Sequence, residues 1–227
     1  MVIPRGSDLR VHSCFLPSGS SGKGLGKGTM DSTVLVRLLE LYEEIDRQTA
    51  ALKATTELRC PPGCGTCCSS PEVEVTELEM LPVARELFRR REALSWLERL
   101  GAADDEGPCA CYQPERSARE EGCCGIYILR PAVCRLFGYG AVKNKDGIAQ
   151  LTVCTVMKKG IPHVAQDAAC AVERGLAAPT FTDFARQVAG LEPSLGGRLL
   201  PINRALRFAL EREGLALQLE KGGEGER

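Results

Sequence analysis

Four cysteines fall within nine residues of the stretch "RCPPGCGTCCSSPEVEV", at Cys60, Cys64, Cys67 and Cys68, out of twelve in the 227-residue chain. Cys64-Gly65-Thr66-Cys67 is a C-x-x-C knuckle, in which a tight turn lets two thiolates face one ion and the glycine lets backbone N–H groups point at sulfur. Cys60 reaches the same ion across Pro61-Pro62-Gly63, a stiff approach that lowers the entropy lost when the site assembles. Cys68 is the odd member. Neighbouring side chains diverge, so it suits a second ion or a multinuclear cluster better than the tetrahedron its neighbours would make. A mononuclear four-thiolate zinc site is usually built from two knuckles, and the chain has no second C-x-x-C. The remaining ligands must come from "PCACYQPERSAREEGCCGIYILRPAVCRLFGYG", with Cys109, Cys111, Cys123, Cys124 and Cys134, and from Cys154 beyond it. Four thiolates around a divalent ion, or around an oxidised cubane, carry about −2 of net charge, so nearby cations and N–H donors matter. Arg59, Arg130 and Arg135 flank cysteines. Arg59 reads as an ordinary surface residue.

Composition narrows the chemistry. The chain has two histidines, His12 and His163, too few for a histidine-rich catalytic zinc or non-haem iron site. Twenty-nine basic and thirty acidic residues leave a formal charge of −1, which argues against a dedicated nucleic-acid or anionic-membrane surface. The longest apolar runs fall short of the roughly 20 residues that cross a bilayer, and the first residues lack the apolar stretch of a signal peptide. A cytoplasmic protein is expected. In a reducing compartment clustered thiols point to metal or to thiol chemistry rather than to a disulfide framework.

The elements that must position these thiols read as follows. Residues 1–29, rich in Gly and Ser, are expected to be a disordered tail or the product of an upstream start, with Met30 the true first residue. "GSSGKGLGKG" fails the phosphate-loop pattern, with Ser21 where its first Gly is needed and Gly28 in place of Ser or Thr. From Asp31, the residues Leu35, Leu38, Tyr42, Ile45, Thr49 and Leu52 form one stripe of a helix. Thr76 and Glu79 form a T-x-x-E capping box with Val75 and Met80 as its hydrophobic staple. Pro82 predicts a kink or a new start there, and Gly101 a C-cap. Pro131 opens a short helix, "PAVCRLF". "AVKNKDGIAQLTVC" reads as a hairpin turning over residues 144–147, with Cys154 ending its second strand. Further helices are expected at 162–175, at 180–190 with Phe181, Phe184, Val188 and Leu191 on one face, and at 201–213. The fold class is mainly α with a loop-rich cysteine-cluster region and a small β-hairpin. It forms one globular domain over residues 30–220, followed by a disordered tail at 221–227.

These motifs resemble the cysteine-cluster family known as YkgJ, described both as a zinc- or iron-chelating domain and as an iron–sulfur-containing protein. Three features carry the resemblance: Cys60-x-x-x-Cys64-x-x-Cys67-Cys68, the capped helix start at Val75 to Glu79, and "CGIYILRPAVCRLF". The last matches the family's C-x-I-Y-x-x-R-P-x-x-C-R through Cys124, Ile126, Tyr127, Arg130, Pro131, Cys134 and Arg135. Cys109 and Cys154 match the cysteines that precede and follow it. The resemblance covers roughly residues 31–160. It implies a metal site drawn from Cys60, Cys64, Cys67, Cys68, Cys109, Cys124, Cys134 and Cys154, as one cluster or two sites, with Tyr127, Arg130 and Arg135 around it. Cys14, Cys111, Cys123 and Cys170 match no cysteine of the family and read as small buried side chains or exposed thiols.

Three functions compete. The first is a metal-binding protein whose thiolates hold an iron–sulfur cluster, of the [4Fe-4S] kind, or a zinc or iron ion. The second is an enzyme, because Cys60-x-x-x-Cys64-x-x-Cys67 has the spacing of radical S-adenosylmethionine enzymes and a flagellin lysine methylase carries a related cluster. Against it, Thr66 stands where an aromatic is usual and no alternation of strands and helices suggests a barrel. The third is an interaction module with a structural zinc site and the C-terminal helices as its docking face. No catalytic residue and no protein partner is assigned.

Overall fold

A computed structural model describes residues 32–61, 64–102, 105, 107–113 and 123–224; the expected tail at 1–29 lies outside them. Helix α1 (Ser32–Thr56) buries Leu35, Leu38, Tyr42, Ile45, Thr49 and Leu52, the stripe that the 3.6-residue period defines. Full burial of each such Leu or Ile stabilises the packed state by about 1.5–3 kcal/mol. A 3₁₀ turn at Thr66–Ser69 carries Cys67 and Cys68. The chain then forms β1 (Glu74–Thr76), α2 (Glu77–Arg89) and α3 (Ala93–Ala102). Two short strands follow, β2 (Tyr112–Gln113) and β3 (Cys123–Cys124), and a 3₁₀ turn at Tyr127–Leu129 leads into α4 (Ala132–Leu136). The hairpin is β4 (Ala141–Lys143) and β5 (Ala149–Leu151). The remainder is α5 (Thr155–Gly160), α6 (Pro162–Glu173), α7 (Phe181–Leu191), α8 (Pro193–Gly196), β6 (Leu199–Pro201) and α9 (Ile202–Glu224).

The architecture is mainly helical, as expected, but the strands do more than form one hairpin. Three two-stranded antiparallel sheets occur among the described residues: β1 with β6, β2 with β3, and β4 with β5. The first pairs Val75 with Leu200 and so joins the start of α2 to the start of α9, which then packs along α2 and α3. No strand–helix barrel of the radical-enzyme type is present among them. None of the described helices is long and apolar enough to cross a membrane.

Two hydrophobic cores result. The larger gathers Leu38, Tyr42, Val75, Leu78, Leu81, Trp96, Phe184, Leu206 and Leu210 from α1, β1, α2, α3, α7 and α9. The smaller joins the end of α1 to the hairpin, α5 and α6 through Leu52, Leu58, Tyr139, Val153, Met157 and Val172. Cys109 and Cys111 belong to the larger core, Cys68, Cys124 and Cys134 pack against it, and Cys154 packs against the smaller one. The cysteine loops therefore lie where the two cores meet. The apolar stripe of α9 is consumed by the larger core, with Ala205, Leu206, Ala209 and Leu210 at 0 to 1% exposure.

Several local expectations need correction. Helix α2 runs through Pro82 without a new start and ends instead at Arg89. Arg91 takes a left-handed φ of 62°. Its N–H donates to the Phe88 carbonyl at 2.9 Å, and that of Glu92 donates to Leu87 at 2.9 Å. This is a Schellman closure with arginine where glycine is usual. Gly101 consequently lies inside α3 rather than capping it. Strand β5 stops at Leu151, and Cys154 is the N-cap of α5, its sulfur accepting the Met157 N–H at 3.5 Å. Helix α9 extends to Glu224, into the stretch expected to be a disordered tail. The hairpin turn is as read: Asn144 Oδ1 accepts the N–H groups of Asp146 and Ile148 at 2.9 Å each, and Gly147 supplies the positive φ of 79°.

Candidate metal centre

The capping box at the start of α2 is the first device that positions the thiols. The Thr76 hydroxyl accepts the Glu79 N–H at 3.3 Å, while the Thr76 N–H and hydroxyl both donate to Glu79 Oε2 at 2.9 Å. The other carboxylate oxygen, Oε1, accepts the Ala132 N–H at 3.0 Å. One buried carboxylate thus caps both α2 and α4, and it fixes Cys134, two residues along α4, against the larger core.

A second device holds the Cys109 segment. Asn203, at the start of α9, accepts the Ala110 N–H at 2.8 Å and donates to the Pro108 carbonyl at 3.0 Å. The Cys109 N–H donates to the Cys68 carbonyl at 3.0 Å, tying this segment to the 3₁₀ turn. The Gly125 N–H donates to the Cys111 carbonyl at 2.8 Å, and β2 pairs Tyr112 with Cys124.

Five of these sulfurs meet in hydrogen-bonded sets. The Cys68 thiol is within hydrogen-bonding reach of the sulfurs of Cys124 and Cys67. Hydrogen bonding to them, with burial, holds its proton far above the usual thiol range. Hydrogen bonding with Cys68 draws Cys67 down to about 6 and lowers Cys124. Cys111 and Cys109 form a second pair, in which the bond to Cys109, with burial, raises Cys111 well above the ordinary thiol value and lowers Cys109. Backbone N–H groups at Cys67 and Cys68, at Cys111 and at Ile126 help lower the thiols of Cys67, Cys109 and Cys124 respectively, although the Cys68 N–H also donates to the Gly65 carbonyl at 2.8 Å. Cys134 is pushed well up, chiefly by burial and then by the fields of Cys109, Cys124 and Cys67. Adjacent cysteines do not diverge here as expected: Cys67 and Cys68 share one thiol network, because the 3₁₀ turn brings their sulfurs together.

A more open set lies beside it. Burial pushes the Cys60 thiol up to about 12, helped by the fields of Cys64 and Cys154 and a hydrogen bond with Cys64. The Cys60 N–H donates to the Tyr139 hydroxyl at 2.7 Å, and the Cys64 sulfur lies 3.3 Å from the Thr66 hydroxyl oxygen. Gly138 takes a left-handed φ of 81°, and a Cβ there would crowd Met157 Cε at 2.3 Å while meeting Cys154 Cβ at an ordinary contact distance of 3.6 Å.

The two arginines share Asp46, which lies 3.7 Å from Arg130, but otherwise have different tasks. Arg130 lowers the thiol pKa of Cys67, Cys124 and Cys134, so its charge faces all three sulfurs. Its guanidinium lies 3.9 Å from the centroid of the half-exposed Tyr127 ring, and its Nε is buried with no hydrogen-bond partner among the described residues. Arg135 turns away from the sulfurs. It binds Asp46 and the carbonyls of Arg130 and Ile128 and stacks 4.5 Å from the Tyr42 ring centroid.

The donor set fits a thiophilic metal: clustered sulfurs, N–H groups near them, one facing cation and one orphaned buried donor. As they stand, the thiols form contacting pairs rather than a closed shell, and no group of three His, Cys, Asp or Glu side chains among the described residues is arranged to hold an ion. Cys170 is exposed on α6, Cys14 lies outside the described residues, and Cys111 is the cluster member that sequence reasoning set aside. Its C-x-C spacing with Cys109 was the available signal.

Residues 59–155 match the family model CxxCxxCC, described as "Putative zinc- or iron-chelating domain". The matched interval begins one residue before Cys60 and ends one after Cys154, so it contains every cysteine of the clustered sets. The family's name spells C-x-x-C-x-x-C-C, whereas here three residues separate Cys60 from Cys64. No curated protein and no solved structure matches the chain.

Proposed function

We propose that this cysteine-cluster protein holds a polynuclear metal–thiolate centre, iron–sulfur in kind, ligated from Cys60, Cys64, Cys67, Cys68, Cys109, Cys124, Cys134 and Cys154. The supporting observation is the Cys68 thiol within hydrogen-bonding reach of both Cys67 and Cys124. One tetrahedral ion takes four ligands, and the Cys67–Cys68–Cys124 set with the neighbouring Cys109–Cys111 and Cys60–Cys64 pairs offers more thiols than that. Bound there, an iron–sulfur cluster supplies one-electron transfer or redox sensing. The chain's own residues give it an anionic cradle with Arg130 as the balancing charge, a buried inner side formed by Cys109, and an open side at Cys60. Tyr127 and Arg135 shape the Arg130 side, the first by stacking on its guanidinium and the second by binding its carbonyl. Binding replaces the protons on Cys60, Cys68 and Cys134 with metal, so loading releases protons and weakens on acidification.

Purification without oxygen, followed by visible absorption and analysis for iron, zinc and acid-labile sulfide, tests the reading. Coloured protein containing iron and sulfide is expected. Colourless protein with one zinc ion per chain contradicts it and leaves a structural zinc site.

A further inference from the structure

Cys111 is the most buried of the clustered cysteines, at 1% exposure. A buried free cysteine acts as a small hydrophobe and needs only hydrocarbon around it. This one meets another thiol. The turn closed by the Tyr112 N–H on the Cys109 carbonyl, at 2.9 Å, brings both side chains to one side, where their sulfurs hydrogen-bond. The turn is fixed from three directions: by Cys68 through the Cys109 N–H, by Gly125 through the Cys111 carbonyl, and by Asn203 on either side of Cys109. The approach to Gly125 is close enough that a Cβ there would lie 3.2 Å from the Cys111 carbonyl oxygen and 2.6 Å from the Gln113 amide nitrogen. Cys111 also stands within the electrostatic reach of Cys124 and Cys134. A thiol held this firmly against the Cys109 thiol, with the fields of two more reaching it, has the placement of a ligand.

We propose that Cys111 is a further ligand of the centre, so that Cys109-Ala110-Cys111 forms a C-x-C arm that delivers two thiolates to thiophilic metal from the buried side. The inference rests on the metal–thiolate reading above. On binding, metal replaces the Cys111 thiol proton, which leaves to solvent, and no oxidant or reductant is consumed.

The experiment compares wild type, Cys111→Ala, Cys68→Ser and Cys170→Ser, each reconstituted anaerobically with ferrous iron and sulfide. Bound iron, the visible spectrum and far-ultraviolet circular dichroism are recorded. Alanine suits the apolar side of this site, so Cys111→Ala keeps the helical signal. The expected result is metal affinity lowered by more than about 100-fold, beyond the range of outer-shell changes, with an altered spectrum and with Cys170→Ser unchanged. Full iron content and an unchanged spectrum in Cys111→Ala, beside loss in Cys68→Ser, overturn this inference and leave the metal reading intact. A wild type that binds no metal overturns both. If Cys111→Ala loses its helical signal, Cys111→Ser replaces it: a native spectrum in folded serine variant overturns the inference, and a shifted one supports it.

Discussion

The Glu79 carboxylate accepts the Ala132 N–H at 3.0 Å with one oxygen while the other closes the capping box with Thr76 at 2.9 Å. Two helix starts far apart in sequence share one buried acceptor, and the second of them carries Cys134. Replacing Glu79 by Ala removes all of these bonds and leaves buried N–H groups unpaired, at a cost of about 1–3 kcal/mol. Chemical denaturation of the metal-free protein measures that loss. Because α4 is released as well, metal content falls with stability. Retention of both in Glu79→Ala means that the shared cap does not organise the site.

Gly138 predicts a different pattern. Its φ of 81° is left-handed, its missing Cβ makes room for Met157 Cε, and Cys154 lies next to it. Gly138→Ala costs about 1–2 kcal/mol from the backbone alone, and the displaced Met157 adds to it. The damage is confined to the smaller core and the open side of the cluster. Alkylation of Cys154 in the metal-loaded variant is expected to rise, while that of Cys109 stays at the wild-type level.

Arg130 and Arg135 separate charge from scaffold. Arg130 faces three sulfurs, so Arg130→Gln lowers metal affinity about 10- to 100-fold, the range of outer-shell changes, and Lys restores part of it. Arg135 joins Asp46 to two backbone carbonyls instead. Arg135→Met strands those acceptors and destabilises the fold by about 1–3 kcal/mol. Metal titration and denaturant unfolding, run on both variants, are expected to rank them in opposite orders. The same order in both measurements contradicts this division.

The sequence displayed its periodic and capped features well. The α1 stripe from Leu35 to Leu52, the Thr76–Glu79 box and the Asn144 turn each depend on residues close in the chain. What it concealed depends on tertiary pairing. Nothing local to Val75 announces Leu200 across a two-stranded sheet, and nothing local to Glu79 announces Ala132. Arg91 ended α2 where glycine is the usual signal, because the closure's hydrogen bonds outweigh the modest cost of a left-handed arginine. The neighbourhood of Cys68 depends on tertiary structure in the same way: the divergence of neighbouring side chains takes no account of the 3₁₀ turn or of the strand that arrives with Cys124. Cys111 was set aside because one residue with a packing role is the usual meaning of an unmatched cysteine.

The central claim is that Cys68 joins the knuckle at Cys64–Cys67 to the segment carrying Cys124 in one polynuclear centre. Iron and acid-labile sulfide per chain, measured on anaerobically purified wild type and Cys68→Ser side by side, test it most directly. Iron and sulfide together are expected in the wild type, with loss of both in a Cys68→Ser protein that keeps its helical signal. Wild-type protein with one zinc and no sulfide, unchanged by Cys68→Ser, contradicts it.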